Sequence, residues 1–195
     1  MNLFLIWTSG IQLFKKMSAS VGILEGNRIF LRRLTEEDAS EDYVRWMNDP
    51  EINQYLESRF YPQTIESTKA FIRSVTNDNN YQFGIFIKET GKHIGNIKIG
   101  SINSYHKYAD VGFLIGEKEY WGKGIATEAI KLATDFAFNT LGLHKLWGGA
   151  YAPNVGSMKA FLKNGYVEEG VKKSQYLCHG KYVDDVMFGK VNPNE

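Results

Sequence analysis

Gly122-Lys123-Gly124-Ile125-Ala126 stands directly before a run that reads as an amphipathic helix. The first turn of a helix leaves backbone N–H groups unpaired and partly positive, so an anion can settle against them. Glycines there remove the side chains that would hold a phosphate away, and they permit positive φ. Ala126 is small, and Lys123 adds a mobile charge. The pattern is not a Walker loop, which needs GxxxxGK[ST]. It also misses the dinucleotide fingerprint GxGxxG, since Thr127 stands at the third position and the preceding strand comes late in the chain. Spacing alone leaves open a phosphate-bearing ligand and a glycine-rich turn with no ligand.

Other reactive residue types are sparse. The single cysteine, Cys178, has no motif around it and reads as a small hydrophobe. With no partner for an intramolecular disulfide, a reducing and cytoplasmic setting is expected. His93, His106, His144 and His179 show no metal-ligand spacing, so no metal is expected. The 195 residues are 43% hydrophobic and 23% charged with a net charge of +1. That balance excludes a general nucleic-acid binder, which would carry a basic face. Lys172, Lys173 and Lys181 are interleaved with Glu168, Glu169, Asp184 and Asp185. The apolar run Leu3 to Trp7 is too short to span a bilayer and lacks a preceding basic region. Residues 1–20 read as an extra segment: a start assigned too early with Met17 the initiator, a cloning remnant, or added packing. Residues 21–195 read as one domain.

The elements that must hold the glycine loop follow from periodicity. Strands are expected in NRIFLRRL, FGIFIKE, HIGNIKIGSI, ADVGFLIG, KLWGGAYA and two runs of the tail, which turn near His179-Gly180. Thr35, with acids at 36 to 38, caps a helix bearing Tyr43, Trp46 and Met47 that stops at Asn48-Asp49-Pro50. Thr64 caps a second helix that carries Phe71, Ile72 and Val75 inward. Ile125, Ala129, Leu132, Ala133 and Phe136 form the stripe of a third, which Gly142 ends. Asn154 caps a fourth, with Met158, Phe161 and Leu162, closed by Asn164-Gly165. The result is an α+β domain: a mixed, mostly antiparallel sheet of six to seven strands flanked by about four helices. The third helix can cross between parallel neighbours.

VGFLIGEKEYWGKGIATEAI followed by LWGGAYAPNVGSMKAFLKNGYVEEG resembles the GCN5-related N-acetyltransferases, and within them the ribosomal-protein N-terminal acetyltransferase branch. The likeness runs from Arg28 to Lys190. The family's diphosphate signature is Gln or Arg, two residues, Gly, one residue, then Gly or Ala. Trp121-Gly122-Lys123-Gly124-Ile125-Ala126 matches it, with Trp121 replacing the polar residue. The resemblance implies acetyl-CoA as co-substrate and a pantetheine cleft between two splayed parallel strands. It places Phe113, Leu114 and Ile115 beside the pantetheine, and Trp121 to Ala126, Asn154, Ser157 and Lys163 at the cofactor. It also implies acetyl transfer to an amine acceptor, an amino sugar or a protein N-terminus, without nucleic acid or membrane, by a monomer or homodimer.

The chemistry needs a base for the ammonium and a group at the departing sulfur. Asp110, just before the splayed strand, is expected as the base, and Ser157 as the group at the sulfur. Phe161 stands where the family often has a tyrosine acid. Glu89, His106 and Tyr108 are weaker candidates. A polyamine acceptor would want an acidic pocket, and no acid cluster is evident beyond Glu36, Glu37 and Asp38. The alternative to an enzyme is a non-catalytic CoA-binding or regulatory module of the same fold.

Overall fold

The computed structural model describes residues 22–75 and 80–195. The segment 1–20 and most of the polar loop 76–80 lie outside the described residues. One sheet contains β1 (Leu24–Glu25), β2 (Ile29–Arg33), β3 (Tyr81–Ile87), β4 (His93–Asn103), β5 (Tyr108–Ile115), β6 (Lys145–Tyr151), β7 (Val167–Cys178) and β8 (Lys181–Val191). Their spatial order is β1-β2-β3-β4-β5-β6-β8-β7. Every neighbouring pair is antiparallel except β5 and β6, which run parallel. The strand beyond the seven visible in the pattern is β1, whose two residues are too few to carry a period-two signal. Gly91 and the pair His179-Gly180 take positive φ in the turns of the β3–β4 and β7–β8 hairpins.

Helix α4 (Ile125–Asn139) makes the crossover from β5 to β6. Ala129, Ala133 and Ala137 repeat at every fourth residue and are fully buried, which lets the helix lie close to the sheet. Phe136 meets Tyr81 and Phe83 edge-on at 5.2 and 5.6 Å. Helix α5 (Val155–Lys163) shares this layer through Ala160 and Phe161. Leu162, expected inside, is 52% exposed. It sits about 100° around the helix from buried Phe161, and only one stripe of α5 meets the core.

The opposite face is covered by α1 (Glu41–Asn48), α2 (Pro50–Asn53) and α3 (Ile65–Val75), around Leu34, Tyr43, Trp46, Ile52 and Ile72. The helix expected from Thr35 is broken in two. The Thr35 N–H donates to the Asp38 carboxylate, and Arg32 grips the same group at 2.6 and 2.8 Å. This closes a short 3₁₀ turn, and Ser40 then caps α1. Asp49 caps α2 with Pro50 in its first turn, where the missing N–H costs nothing. Ile72 of α3 is buried, but Phe71 is 43% exposed at the rim of a surface cavity.

Gly116 ends β5 against the fully buried Trp46 ring; a Cβ there would lie 2.0 Å from it. Gly116→Ala therefore forces the indole to move. The expected cost is about 1–3 kcal/mol, read as a lowered denaturant midpoint with an unchanged slope.

Candidate functional site

β5 and β6 pair only at Tyr108↔Lys145, Ala109↔Leu146 and Asp110↔Trp147. Beyond Asp110 the two strands diverge, although β5 still pairs with β4 and β6 with β8. The facing edges over Val111 to Ile115 and Gly148 to Tyr151 have no strand partner. A cavity of about 900 Å³ passes through this gap. Phe161 plugs its apex: the ring lies 2.5 Å from where a Gly148 Cβ would stand, stacks on Phe188 and meets Phe113 edge-on. No residue larger than glycine fits at 148 without moving that ring.

The N-terminus of α4 opens into the same cavity. Gly122 and Gly124 take φ of 70° and 78°, and Gly124 is the N-cap. Among the described α-helices, α4 has no side chain accepting from its first-turn N–H groups. Ser40, Asp49, Thr64 and Asn154 perform that service elsewhere. The longest of the described helices thus leaves its positive end to whatever occupies the cavity.

Two contacts hold this loop, one local and one long-range. The Trp121 indole N–H donates to the Ile115 carbonyl at 2.8 Å, closing the loop onto the end of β5. That explains why an indole can replace the polar residue of the motif. Arg28, from the start of the chain's second strand, donates to the Lys123 carbonyl at 2.6 Å and to Glu128 at 3.0 Å. Glu128 also accepts from the Arg28 N–H. Burial alone would push the Glu128 carboxyl up, but the Arg28 N–H, the guanidinium and the Ile29 N–H together hold it below the usual range. Nothing local in the sequence announces this strap, since its halves are a hundred residues apart.

Asn154 accepts from the Ser157 N–H at 3.2 Å and so caps α5 as expected. Asn154, Ser157 and Lys163 line the cavity, as do Phe113, Leu114, Ile115, Trp121, Gly122, Gly124, Ile125 and Ala126. Lys123 does not: its ammonium lies 5.9 Å from the Tyr120 ring centre, and its contribution to the site is the carbonyl that Arg28 holds. Asp110 lines the cavity where pairing ends, and it is bound to Lys98 at 2.7 Å. His106 stacks on Tyr108 outside the cavity lining.

The far end of the cavity is built by Tyr55, Glu57, Tyr151 and Tyr176, with Arg59 behind them. Tyr151 donates to Glu57 and accepts from Arg59 at 3.1 Å, while Arg59 also donates to the Leu177 carbonyl of β7. Tyr176 stacks on Tyr151 at 4.3 Å, and Tyr55 meets it edge-on. Burial and the Glu57 carboxylate push the Tyr151 hydroxyl up to about 12, so it keeps its proton. Asp185 is buried in the same wall with Lys172 at 3.4 Å.

Residues 28–167 match a family described as the acetyltransferase (GNAT) domain. The probable N-acetyltransferase YjcK of Bacillus subtilis is 30% identical over 182 residues, spanning 89% of this chain and 99% of its own. The spermidine N(1)-acetyltransferase of Escherichia coli strain K12 is 28% identical over 78% of this chain and 80% of that one. A solved structure titled as the ribosomal L7/L12 alpha-N-protein acetyltransferase RimL in complex with coenzyme A shares the fold. Its TM-score is 0.77 at 17% identity, covering 89% of this chain and 100% of that one.

The Arg28–Glu128 strap sets a pH dependence. A carboxyl held below its ordinary value of 4.5 stabilises the fold above that pH, and the contribution fades as pH falls through the lowered value. Glu128→Gln should therefore melt lower than the parent at pH 7, with the gap closing below about pH 4. Melting curves at both pH values check this; a gap that widens in acid contradicts it.

Proposed function

The chain belongs to the acetyltransferase (GNAT) family and is an acyl-CoA-dependent N-acetyltransferase; within that premise we propose how its residues work and what they acetylate. The acceptor is the primary amine of an amino sugar or a protein N-terminus, and it attacks the thioester directly. The observation that carries this reading is the uncapped start of α4 beside the unpaired edge of β5, in one cavity with Asp110 and Ser157.

The first-turn N–H groups after Gly124 receive the diphosphate of acetyl-CoA, with Gly122 and Gly124 keeping side chains out of its way. The free edge of β5 over Phe113, Leu114 and Ile115 pairs with the amides of the pantetheine arm, as an added strand would. Lys163 and Asn154 border the same path. An alkylamine with a pKa near ~10 arrives protonated. Asp110 takes that proton directly or through a water. Lys98 lies beside this carboxylate at 2.7 Å. The nitrogen lone pair then adds to the thioester carbon, and backbone N–H groups of the β5 edge hold the oxyanion. Collapse breaks the C–S bond, and the second proton that the nitrogen sheds to become an amide passes through solvent to the departing sulfur, so CoA is released as the thiol. The sulfur leaves as a thiolate of pKa roughly 8.5, to which the Ser157 hydroxyl donates a hydrogen bond. Phe161 cannot supply that proton.

Charge in the cavity supports an acceptor with a single amine rather than a polycation, although spermidine acetyltransferases are among the relatives. Each cavity carboxylate already faces a cation of this chain. Asp110 has Lys98, Asp185 has Lys172, Glu51 has Lys118 at 2.5 Å, and Glu57 has Arg59 at 3.6 Å. The tyrosine wall at 55, 151 and 176 suits a sugar ring or a peptide backbone.

Phe161 in place of the family's tyrosine favours one other reading, a CoA-binding module without turnover. Thiol release from acetyl-CoA against a panel of amino sugars and peptides separates the two: release supports the enzyme, and tight CoA binding with no release on the panel supports the module.

Gly124→Trp should abolish CoA binding measured by calorimetry while the circular dichroism spectrum stays that of the parent. Unchanged affinity contradicts the diphosphate site. Asp110→Asn should slow kcat roughly a hundred-fold and leave the CoA dissociation constant unmoved. A normal rate across the pH range excludes Asp110 as the base.

A further inference from the structure

Asp185 of β8 is the one buried carboxylate among the described residues, at 3% exposed, and the acetyl transfer leaves it unused. It stands across from Tyr151 of β6 on one side and Lys172 of β7 on the other. Directly opposed residues of antiparallel strands share a face, so its side chain rises on the face of Tyr151 and, by alternation, of Gly149 and Trp147. Asp110 is the strand partner of Trp147 and lies on that face too. All six residues line the cavity between β5 and β6.

The two oxygens of Asp185 face different strands. Oδ2 takes the Lys172 ammonium at 3.4 Å, a long contact to a side chain that is half exposed. Oδ1 lies over β6: a Cβ on Gly149 would stand 2.7 Å from it. The missing side chain at 149 lets the carboxylate lean from β8 toward the gap. No N–H or O–H of the described residues donates to Oδ1, since the one hydrogen bond of this carboxylate is made by Oδ2. Among the described residues Asn96 Nδ2 is the one fully occluded side-chain polar atom without a partner, so the unpaired Oδ1 is open to the cavity that Asp185 lines. A carboxylate oxygen held in such a wall is unfavourable until a ligand brings it a donor.

Position narrows what that ligand is. Gly149 stands two residues along β6 from Trp147, roughly 7 Å. A ligand whose amine meets Asp110 therefore meets Oδ1 with a donor about that far from its nitrogen. A pyranose ring is rigid and holds a hydroxyl across from its amine on that scale, and an O–H bond to a carboxylate is of the strong, charge-assisted kind. A peptide terminus would lose conformational entropy to hold an N–H there. A second ammonium would find the charge of Asp185 already opposed by Lys172.

We infer that Asp185 Oδ1 accepts a hydrogen bond from a ring hydroxyl of the acceptor, and that this oxygen selects an amino sugar over a peptide terminus or a diamine. The inference rests on the N-acetyltransferase reading and narrows its acceptor to one class.

The test measures kcat/KM with glucosamine, cyclohexylamine, alanyl-alanine amide and 1,4-diaminobutane for the parent, Asp185→Asn and Gly149→Ala, with CoA affinity by calorimetry alongside. Cyclohexylamine keeps a ring and an amine but has no hydroxyl. The parent should favour glucosamine over the other three. The glucosamine-to-cyclohexylamine ratio should fall roughly ten-fold in Asp185→Asn, with the CoA dissociation constant unmoved. Gly149→Ala keeps the carboxylate but pushes Oδ1 aside, so the ratio should fall there too; a role confined to the Lys172 pair would leave it unchanged. Where Asp185→Asn fails to fold, Gly149→Ala decides alone. A ratio that holds in either folded variant, or a parent that favours any of the other three amines, overturns the sugar contact while leaving acetyl transfer standing. A parent that acetylates none of the four overturns the inference, and one that also binds no CoA overturns the acetyltransferase reading with it.

Discussion

Parallel pairing between β5 and β6 lasts three residue pairs and then stops. Antiparallel partners on the outer edges, β4 and β8, hold the two strands along their full lengths and keep them apart. Phe161 fills the apex, and Gly148 makes room for it. An unpaired strand edge inside a domain is a row of unsatisfied backbone groups, ordinarily a liability. Here the same divergence exposes that edge to a cavity and brings α4, the crossover between the two strands, end-on to it. One departure from regular sheet geometry therefore creates both the edge that a pantetheine arm can join and the helix terminus that an anion can meet.

The site's electrostatics are set by what is left uncapped and what is neutralised. α1, α2, α3 and α5 carry their own capping side chains, while α4 does not. Arg28 and Glu128 stabilise the loop without entering the path of a ligand, since they hold the Lys123 carbonyl and the N-terminal strand. Each carboxylate lining the cavity is matched by a lysine or arginine of this chain.

What could be read in advance divides by range. The glycines before α4, the Asn154 cap, the alanine stripe and the hairpin turns are local patterns, and local patterns are visible in one sequence. The break at Thr35 to Ser40 was hidden because Arg32, in a neighbouring strand, claims Asp38. The exposure of Leu162 depends on how far α5 rotates over its neighbours, and the split role of Lys123 depends on Arg28 arriving from the other end of the chain. The glycine loop and the Asn154 cap are short local motifs, whereas Tyr55, Glu57, Arg59, Tyr151 and Tyr176 come together from separate elements that no local pattern joins.

The account stands on the amide hydrogens at the start of α4 receiving the diphosphate of CoA. Backbone ¹⁵N–¹H spectra of the labelled chain, titrated with CoA, test that most directly. The account predicts that the largest shifts and the strongest new protection from exchange fall at Gly122, Gly124, Ile125, Ala126 and Thr127. Saturable binding that leaves those five amides unmoved, with the changes centred elsewhere, contradicts it.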